Sequence, residues 1–121
     1  MAKLKAFIIE DDPHLNQIFS TTLKADFEIH SLADGDQAIV ELARSSPDLV
    51  VLDMNLPGAS GRDVLMYIRS EKKRLAHTRV ILATADALQA DLLQNEADLV
   101  LLKPVSPVQL RELALRIKKN G

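Results

Sequence analysis

The stretch Pro47–Gly58 reads Pro-Asp-Leu-Val-Val-Leu-Asp-Met-Asn-Leu-Pro-Gly, and four consecutive apolar residues, Leu49–Leu52, lie at its centre. A short run that is apolar at every position is typical of a strand buried on both faces of a parallel sheet. The dipeptide Pro57-Gly58 is a turn signal after the run. We take this run as the most apolar strand, which predicts a place in the middle of the sheet, with Asp53 at its carboxyl end.

Four further apolar runs divide the chain, and amphipathic segments with helical spacing separate them. The runs are Ala6–Ile9, Phe27–Ile29, Val80–Ala83 and Leu99–Leu102. The second of these runs alternates with the polar residues Glu28 and His30, which favours a strand near an edge of the sheet. Five strands alternating with five helices predict an α/β fold, in which a parallel sheet carries helices on both faces.

Start signals and apolar spacing locate the helices. Asp12-Pro13 predicts the start of the first helix, Ser60 and Asp63 have the spacing of a capping box, and Ser106-Pro107 predicts the start of the last helix. Residues at helical spacing then mark the helices themselves. These are Leu15, Ile18, Phe19, Thr22 and Leu23 in the first helix, and Leu88, Leu92 and Leu93 in a shorter fourth helix.

Length and composition exclude several classes of protein. The 121 residues suit one domain, predicted to span 1–121, and a hydrophobic content of 47% excludes a disordered chain. A net charge of −2 gives no reason to expect nucleic-acid binding, and the lack of cysteine excludes disulfides and thiol chemistry. The apolar run near the start is too short to cross a membrane and has no signal-peptide cleavage site, which predicts a cytoplasmic protein without a membrane partner.

Reactive side chains follow four of the five predicted strands. They are Glu10-Asp11-Asp12 after the first, Asp53 and Asn55 after the third, Thr84 after the fourth, and Lys103-Pro104 after the fifth. In open parallel sheets the functional crevice lies at the carboxyl ends of the strands, so these groups are expected to meet at one edge.

The expected cluster suits phosphoryl chemistry. Carboxylates packed together repel one another, and a divalent cation with oxygen ligands relieves the repulsion, which predicts a Mg²⁺ site. The Lys103 ammonium can pair with phosphoryl oxygens, and the Thr84 hydroxyl can donate to one of them. A carboxylate beside bound metal can be a nucleophile that forms an acyl phosphate, and Asp53 is the best candidate because of its central strand.

In these motifs the sequence resembles the receiver domain of bacterial two-component response regulators, over essentially the whole chain. The matching pieces are Phe7–Asp12, Ala33–Gly35, Pro47–Gly58, Ser60-Gly61, Ala83–Ala85 and Lys103-Pro104. The resemblance implies a flavodoxin-like, doubly wound sheet of strand order 2-1-3-4-5 with five helices. It also implies a signalling switch that catalyses only its own phosphorylation and dephosphorylation, and so is not an enzyme acting on a separate substrate.

The resemblance implies a role for each residue at the acidic edge. Asp53 would accept a phosphoryl group from a histidine kinase, a phosphotransfer protein or a small acyl phosphate. Asp11 would touch Mg²⁺ directly and Glu10 would act through water, with Asp12 just outside this pair. The Asn55 backbone carbonyl would be a further metal ligand.

The resemblance also implies which residues report phosphorylation. Lys103 would contact the phosphoryl group, and its bond to Pro104 is expected to be cis. Thr84 would move inward to bond a phosphoryl oxygen. Asn55 and Asp86, two positions beyond the phosphorylated aspartate and the threonine, would tune the hydrolysis of the acyl phosphate, and their polar side chains predict fast dephosphorylation.

Three departures from the family pattern lie on the fourth helix and fifth strand. Val100 stands where the family usually has an aromatic switch residue. The interval from Thr84 to Lys103 is about one helical turn shorter than usual, which predicts a short or distorted fourth helix. Glu96-Ala97-Asp98 replaces the common Gly-Ala-Asp. We therefore expect an altered output face, the surface that the family often uses for dimerisation and for docking an output domain or partner protein.

Two other functions compete with the phosphorylation switch. A receiver-like module could dock a partner without ever being phosphorylated, and the absent aromatic and short helix favour it. A Mg²⁺-dependent phosphohydrolase would also use an aspartyl phosphate, but such enzymes place a second acid where this chain has Asn55. A second copy of the chain, in a homodimer, is a further candidate partner.

Overall fold

Five parallel strands form a single sheet in the order β2-β1-β3-β4-β5, in a computed structural model that describes residues 3–120 and side chains as far as residue 118. The strands are β1 (Leu4–Ile9), β2 (Phe27–Leu32), β3 (Leu49–Asp53), β4 (Arg79–Thr84) and β5 (Leu99–Leu102). The helices are α1 (Pro13–Leu23), α2 (Gly35–Arg44), α3 (Gly61–Ser70), α4 (Ala87–Leu93) and α5 (Pro107–Asn120). The predicted α/β fold and strand order are confirmed. Residues 1, 2 and 121 of the predicted single domain lie outside the described residues.

The alternation of side chains along β3 builds two separate cores. Val50 and Leu52 are buried beneath α2, α3 and α4 on one face of the sheet, whereas Leu49 and Val51 are buried beneath α1 and α5 on the other. All five residues of β3 are buried, as expected for a central strand covered on both faces. This position fixes the carboxyl end of β3 at the middle of the sheet edge.

The predicted start signals form real caps. The Asp12 side chain accepts hydrogen bonds from the backbone of His14 and Leu15 at the start of α1. Ser60 and Asp63 form the reciprocal capping box of α3. At α5, the Ser106 hydroxyl accepts a hydrogen bond from the Gln109 backbone N–H at 3.3 Å. No helix within residues 3–120 combines the length and apolarity needed to cross a membrane.

Helix α4 has seven residues and is short, as predicted, and it does not bury all three of the leucines that mark it in the sequence. Leu88 and Leu92 are 67% and 70% exposed, and Leu93 is buried. Residues four apart share a helix face, so burial of Leu93 turns Gln89 inward and turns the Leu88–Leu92 pair outward. Because the helix has only about two turns, the burial of Leu93 alone determines which face of α4 packs against the sheet.

Helix α1 buries only part of the face that the sequence spacing marks, and a polar residue is buried beside it. Ile18 is 37% exposed, and the buried positions are Asn16, Phe19 and Leu23. The Asn16 amide donates to the backbone carbonyls of Glu10 at 2.9 Å and Leu32 at 3.1 Å. A buried amide therefore joins the carboxyl ends of β1 and β2, where the Leu32 carbonyl also accepts the Glu10 N–H at 3.1 Å.

We predict that Asn16→Ala lowers the free energy of unfolding by about 1–3 kcal/mol, because it removes the buried amide that donates to the Glu10 and Leu32 carbonyls. Urea denaturation measures this loss. Gln17→Ala, an exposed neighbour in the same helix, is the matched control and should change stability little. Equal stability of the two variants would contradict the role assigned to Asn16.

Candidate functional site

Three carboxylates meet at the carboxyl ends of β1 and β3. One oxygen from each of Glu10, Asp11 and Asp53 lies within 4.8 Å of the others. The strands are direct neighbours, with Ile9 opposite Leu52, so the residues that follow them must approach each other. Glu10 and Asp53 are buried and Asp11 is exposed, which gives the cluster one side open to solvent.

The Lys103 side chain reaches the same cluster from the end of β5. Its Nζ lies 2.9 Å from Asp53 Oδ1 and 3.2 Å from Glu10 Oε1, so a single ammonium joins the two buried carboxylates. The Lys103 backbone N–H donates to the Thr84 carbonyl at 2.8 Å, which fixes the start of the loop. The peptide bond from Lys103 to Pro104 is cis.

The electrostatics of the cluster shift two pKa values. Burial disfavours the charged form of Glu10 and raises its pKa from 4.5 to about 7; the Asp12 N–H opposes this, and the Asp53 charge adds to it. For Lys103, burial lowers the pKa, but the hydrogen bond and charge of Asp53, and then those of Glu10, outweigh burial and leave the pKa raised. Lys103 therefore remains an ammonium, while Glu10 can exchange a proton near neutral pH.

Thr84 lies at the end of β4 and is only 2% exposed. Its hydroxyl forms its hydrogen bonds away from the acidic cluster. It donates to Gln89 Oε1 at 3.3 Å and accepts from the Asp86 backbone N–H at 3.1 Å. Within residues 3–120, no hydrogen bond joins the Thr84 hydroxyl to Asp53 or Lys103. The structure thus brings Glu10, Asp11, Asp53 and Lys103 together and leaves Thr84 attached to the start of α4.

The remaining predicted residues surround this cluster. Asp12 is exposed, caps α1, and donates its backbone N–H to Glu10 Oε2 at 3.2 Å. Asn55 is exposed in the loop after β3, and Val100 is partly buried against the core. Asp86 is the N-cap of α4 and accepts from Leu88 and Gln89, a role that the sequence analysis did not predict.

Gly61 closes the loop that follows Asp53. A Cβ atom at this position would lie 2.6 Å from the Met54 Cα and would also contact the Asp53 backbone oxygen. The Gly61 N–H donates to the Met54 carbonyl at 3.2 Å. A residue without a side chain is therefore needed where α3 begins, directly behind the central carboxylate.

The donor set of the cluster fits a hard divalent cation. Every candidate ligand is a carboxylate oxygen, the type of ligand that Mg²⁺ prefers, and few carboxylates leave room for water and phosphate oxygens. Burial raises the pKa of Glu10, and the nearby charge of Asp53 adds to the shift, so a cation at this edge would favour the charged form of both carboxylates. Glu10, Asp11 and Asp53 could hold such an ion together.

Comparisons with known proteins identify the class to which this fold and site belong. The sequence model of the response regulator receiver domain matches residues 6–115. The chain belongs to this family, whose members are regulatory phosphoacceptor domains of two-component systems and bind Mg²⁺ in the active site.

Relatives with different architectures share this domain. The DNA-binding response regulator MtrA of Mycolicibacterium smegmatis is 29% identical over 121 residues, covering 96% of this chain and 51% of the relative. The sensor histidine kinase TmoS of Ectopseudomonas mendocina is 30% identical over 110 residues, covering 88% of this chain and 11% of the relative. The chain therefore spans about half of the first relative and a small part of the second.

A solved structure supports the same assignment. The receiver domain of the Pseudomonas aeruginosa sensor histidine kinase PA1611 has a TM-score of 0.84 at 27% identity, covering 95% of this chain and 97% of that chain. That structure has a magnesium ion coordinated in the active site cleft. The fold is thus that of receiver domains found in both regulators and kinases.

Two residues that contribute to the site were missed in the sequence. Asn16 supports the end of β1, and Gln89 bonds Thr84. Gln89 lies four positions before Leu93 and so on the same helix face, but the sequence does not show which of the three leucines of α4 is buried. Asn16 lies three before Phe19 and seven before Leu23, the spacing of a buried helix face, but its polarity suggested a surface position.

We predict that the difference in free energy of unfolding between the unmodified chain and the Glu10→Gln variant falls as pH rises, when a metal chelator is present. The folded-state pKa of Glu10 is raised from 4.5 to about 7, so the folded chain binds this proton more tightly than the unfolded chain. The resulting stabilisation is present below about pH 4.5 and is lost progressively up to about pH 7. Urea denaturation across this range measures the difference, and a difference independent of pH would contradict the assignment.

Proposed function

We infer that this domain is a phosphorylation-dependent signalling switch in which Asp53 accepts the phosphoryl group. The observation that carries this proposal is the Lys103 ammonium, which lies 2.9 Å from Asp53 beside the buried Glu10. A buried carboxylate next to both a cation and further carboxylates has the surroundings of an activated nucleophile. Because β3 is the central strand, Asp53 lies at the middle of the sheet edge.

The proposed reaction moves one phosphoryl group. An Asp53 carboxylate oxygen forms a bond to phosphorus, and the bond from phosphorus to the donor imidazole nitrogen, or to the oxygen of an acyl phosphate, breaks. The leaving group retains the electron pair of that bond. Lys103 changes partner from Asp53 to a phosphoryl oxygen, because the acyl phosphate retains negative charge within reach of the ammonium.

The proposed metal ligands are Asp11, Asp53 and the Asn55 backbone carbonyl, with Glu10 acting through water. A bound Mg²⁺ supplies positive charge that offsets the phosphoryl oxygens. Asp11 suits direct ligation because it is the exposed member of the cluster. Glu10 must lose its proton for this role, which its pKa of about 7 allows near neutral pH.

The proposed output depends on Thr84. When Asp53 carries a phosphoryl group, the Thr84 hydroxyl moves to bond one of its oxygens. The small Val100 cannot supply the ring movement that accompanies this step in the family, so output through α4 and β5 differs from the usual pattern. Polar groups at Asn55 and Asp86 favour hydrolysis of the acyl phosphate, which gives a signal lasting minutes and not hours.

The proposed partners follow from the family and from the relatives. A histidine kinase or phosphotransfer protein donates the phosphoryl group in the cytoplasm, and an output domain or partner protein reads the switch. Some relatives are DNA-binding regulators and another is a kinase. We propose no direct nucleic-acid contact by this domain, in keeping with its net charge of −2. A second copy of the chain is a further candidate partner.

A second candidate function is docking without phosphorylation. Large apolar side chains are exposed on α4, at the end of β5 and at the start of α5. These are Leu88, Leu92, Leu102 and Val108. Such side chains are typical of a surface that binds another protein. In this alternative the acidic cluster serves only as a scaffold.

We predict that incubation with acetyl phosphate and Mg²⁺ adds a single phosphoryl group, measured as intact mass. Asp53→Asn should abolish the adduct, because the amide oxygen is a poor nucleophile, and a chelator should do the same. Asp91→Asn, which changes an exposed aspartate of α4, is the matched control and should retain the adduct. No adduct in the unmodified chain, together with no binding of beryllofluoride, would favour the docking module.

A further inference from the structure

The Thr84 hydroxyl is held by two groups that belong to the start of α4. Its proton is donated to Gln89 Oε1 at 3.3 Å, and its oxygen accepts the Asp86 N–H at 3.1 Å. Thr84 is almost fully buried, so few water molecules can compete for these bonds. The hydroxyl therefore has a defined resting position, and that position depends on α4.

Gln89 has this role because of the way α4 is turned. Leu93 is buried, and Gln89 lies one turn before it on the same face. The Asp86 carboxylate accepts from the Gln89 backbone N–H at 3.3 Å, which fixes the first turn of the helix. The amide side chain of Gln89 is thus directed at the sheet edge from a capped helix end.

On β5, Leu102 is the residue that pairs with Thr84, and the smaller Val100 lies two positions before it on the same face of the sheet. Val100 pairs with Leu82 across the sheet and packs against the core, with no polar atom to contact Thr84. Within residues 3–120, the hydrogen bond to Gln89 is the contact that joins the Thr84 hydroxyl to a side chain of α4.

We propose that Gln89 is a positioning residue that holds the Thr84 hydroxyl in its resting position and transmits its movement to α4. The inference rests on the proposed phosphorylation switch. When the hydroxyl moves to a phosphoryl oxygen, it must first leave the Gln89 carbonyl oxygen. The cost of breaking this bond opposes activation, and its loss releases the Gln89 side chain from β4.

The test compares binding of Mg²⁺ and beryllofluoride by variants of the whole chain, measured by titration. Gln89→Ala removes the acceptor, and since a neutral hydrogen bond contributes modestly, binding should tighten by about twofold to tenfold. Gln89→Glu retains an acceptor oxygen and should bind no more tightly than the unmodified chain. Gln94→Ala is the matched control, because Gln94 is an exposed glutamine directly after α4.

A double-mutant cycle separates positioning from a general structural effect. In a Thr84→Val background the hydroxyl is absent, so Gln89→Ala should no longer change beryllofluoride binding. Unchanged binding in Gln89→Ala alone would overturn the proposal. An equal tightening with and without the Thr84 hydroxyl would overturn it as well, because the effect would not pass through Thr84.

A second measurement distinguishes failure of this inference from failure of the proposed function. If the unmodified chain does not bind beryllofluoride, the phosphorylation switch is wrong. Amide hydrogen exchange without any ligand then decides whether Gln89 holds Thr84. Gln89→Ala should speed exchange of the Asp86 N–H, which donates to the Thr84 hydroxyl, and unchanged exchange would overturn the inference.

Discussion

The ammonium of Lys103 lies between two buried carboxylates, Asp53 and Glu10, and the rest of the site depends on this arrangement. Two negative charges that share a buried edge would otherwise repel one another or take up a proton. One cation reaching across from the end of β5 allows the ends of β1 and β3 to stay close. The same ammonium could bind a phosphoryl group on Asp53. Lys103 would then exchange the Asp53 carboxylate for a phosphoryl oxygen without leaving its place between the strands.

The two cores on either side of the sheet make this arrangement rigid. Alternate residues of β3 are buried on opposite faces, so the strand that carries Asp53 cannot shift without disrupting both cores. Asn16 joins the end of β1 to β2, and Gly61 lets α3 begin directly behind the carboxylate. Packing thus positions the acids, and the part of the site that the proposed switch moves is Thr84 with the short α4.

The fold was predictable because buried strands and helix caps leave local signals, and the resemblance supplied the strand order. The apolar runs, together with the reactive residues that follow four of them, were enough to predict that Asp53 and Lys103 lie at the same edge of the sheet. The orientation of α4 was not predictable from spacing, since Leu88, Leu92 and Leu93 cannot all be buried by a helix of two turns. The link from Thr84 to Gln89 depends on that orientation, so it could only be read from the structure.

The most direct test of this account is the free energy of unfolding of Lys103→Met relative to the unmodified chain, with metal chelated. Without the ammonium, Asp53 and Glu10 face each other unpaired, and at high pH both carry charge. The account predicts a loss of stability that is larger at about pH 8 than at about pH 5, where Glu10 is protonated. No loss, or the same loss at both pH values, would contradict the claim that Lys103 holds the two carboxylates together.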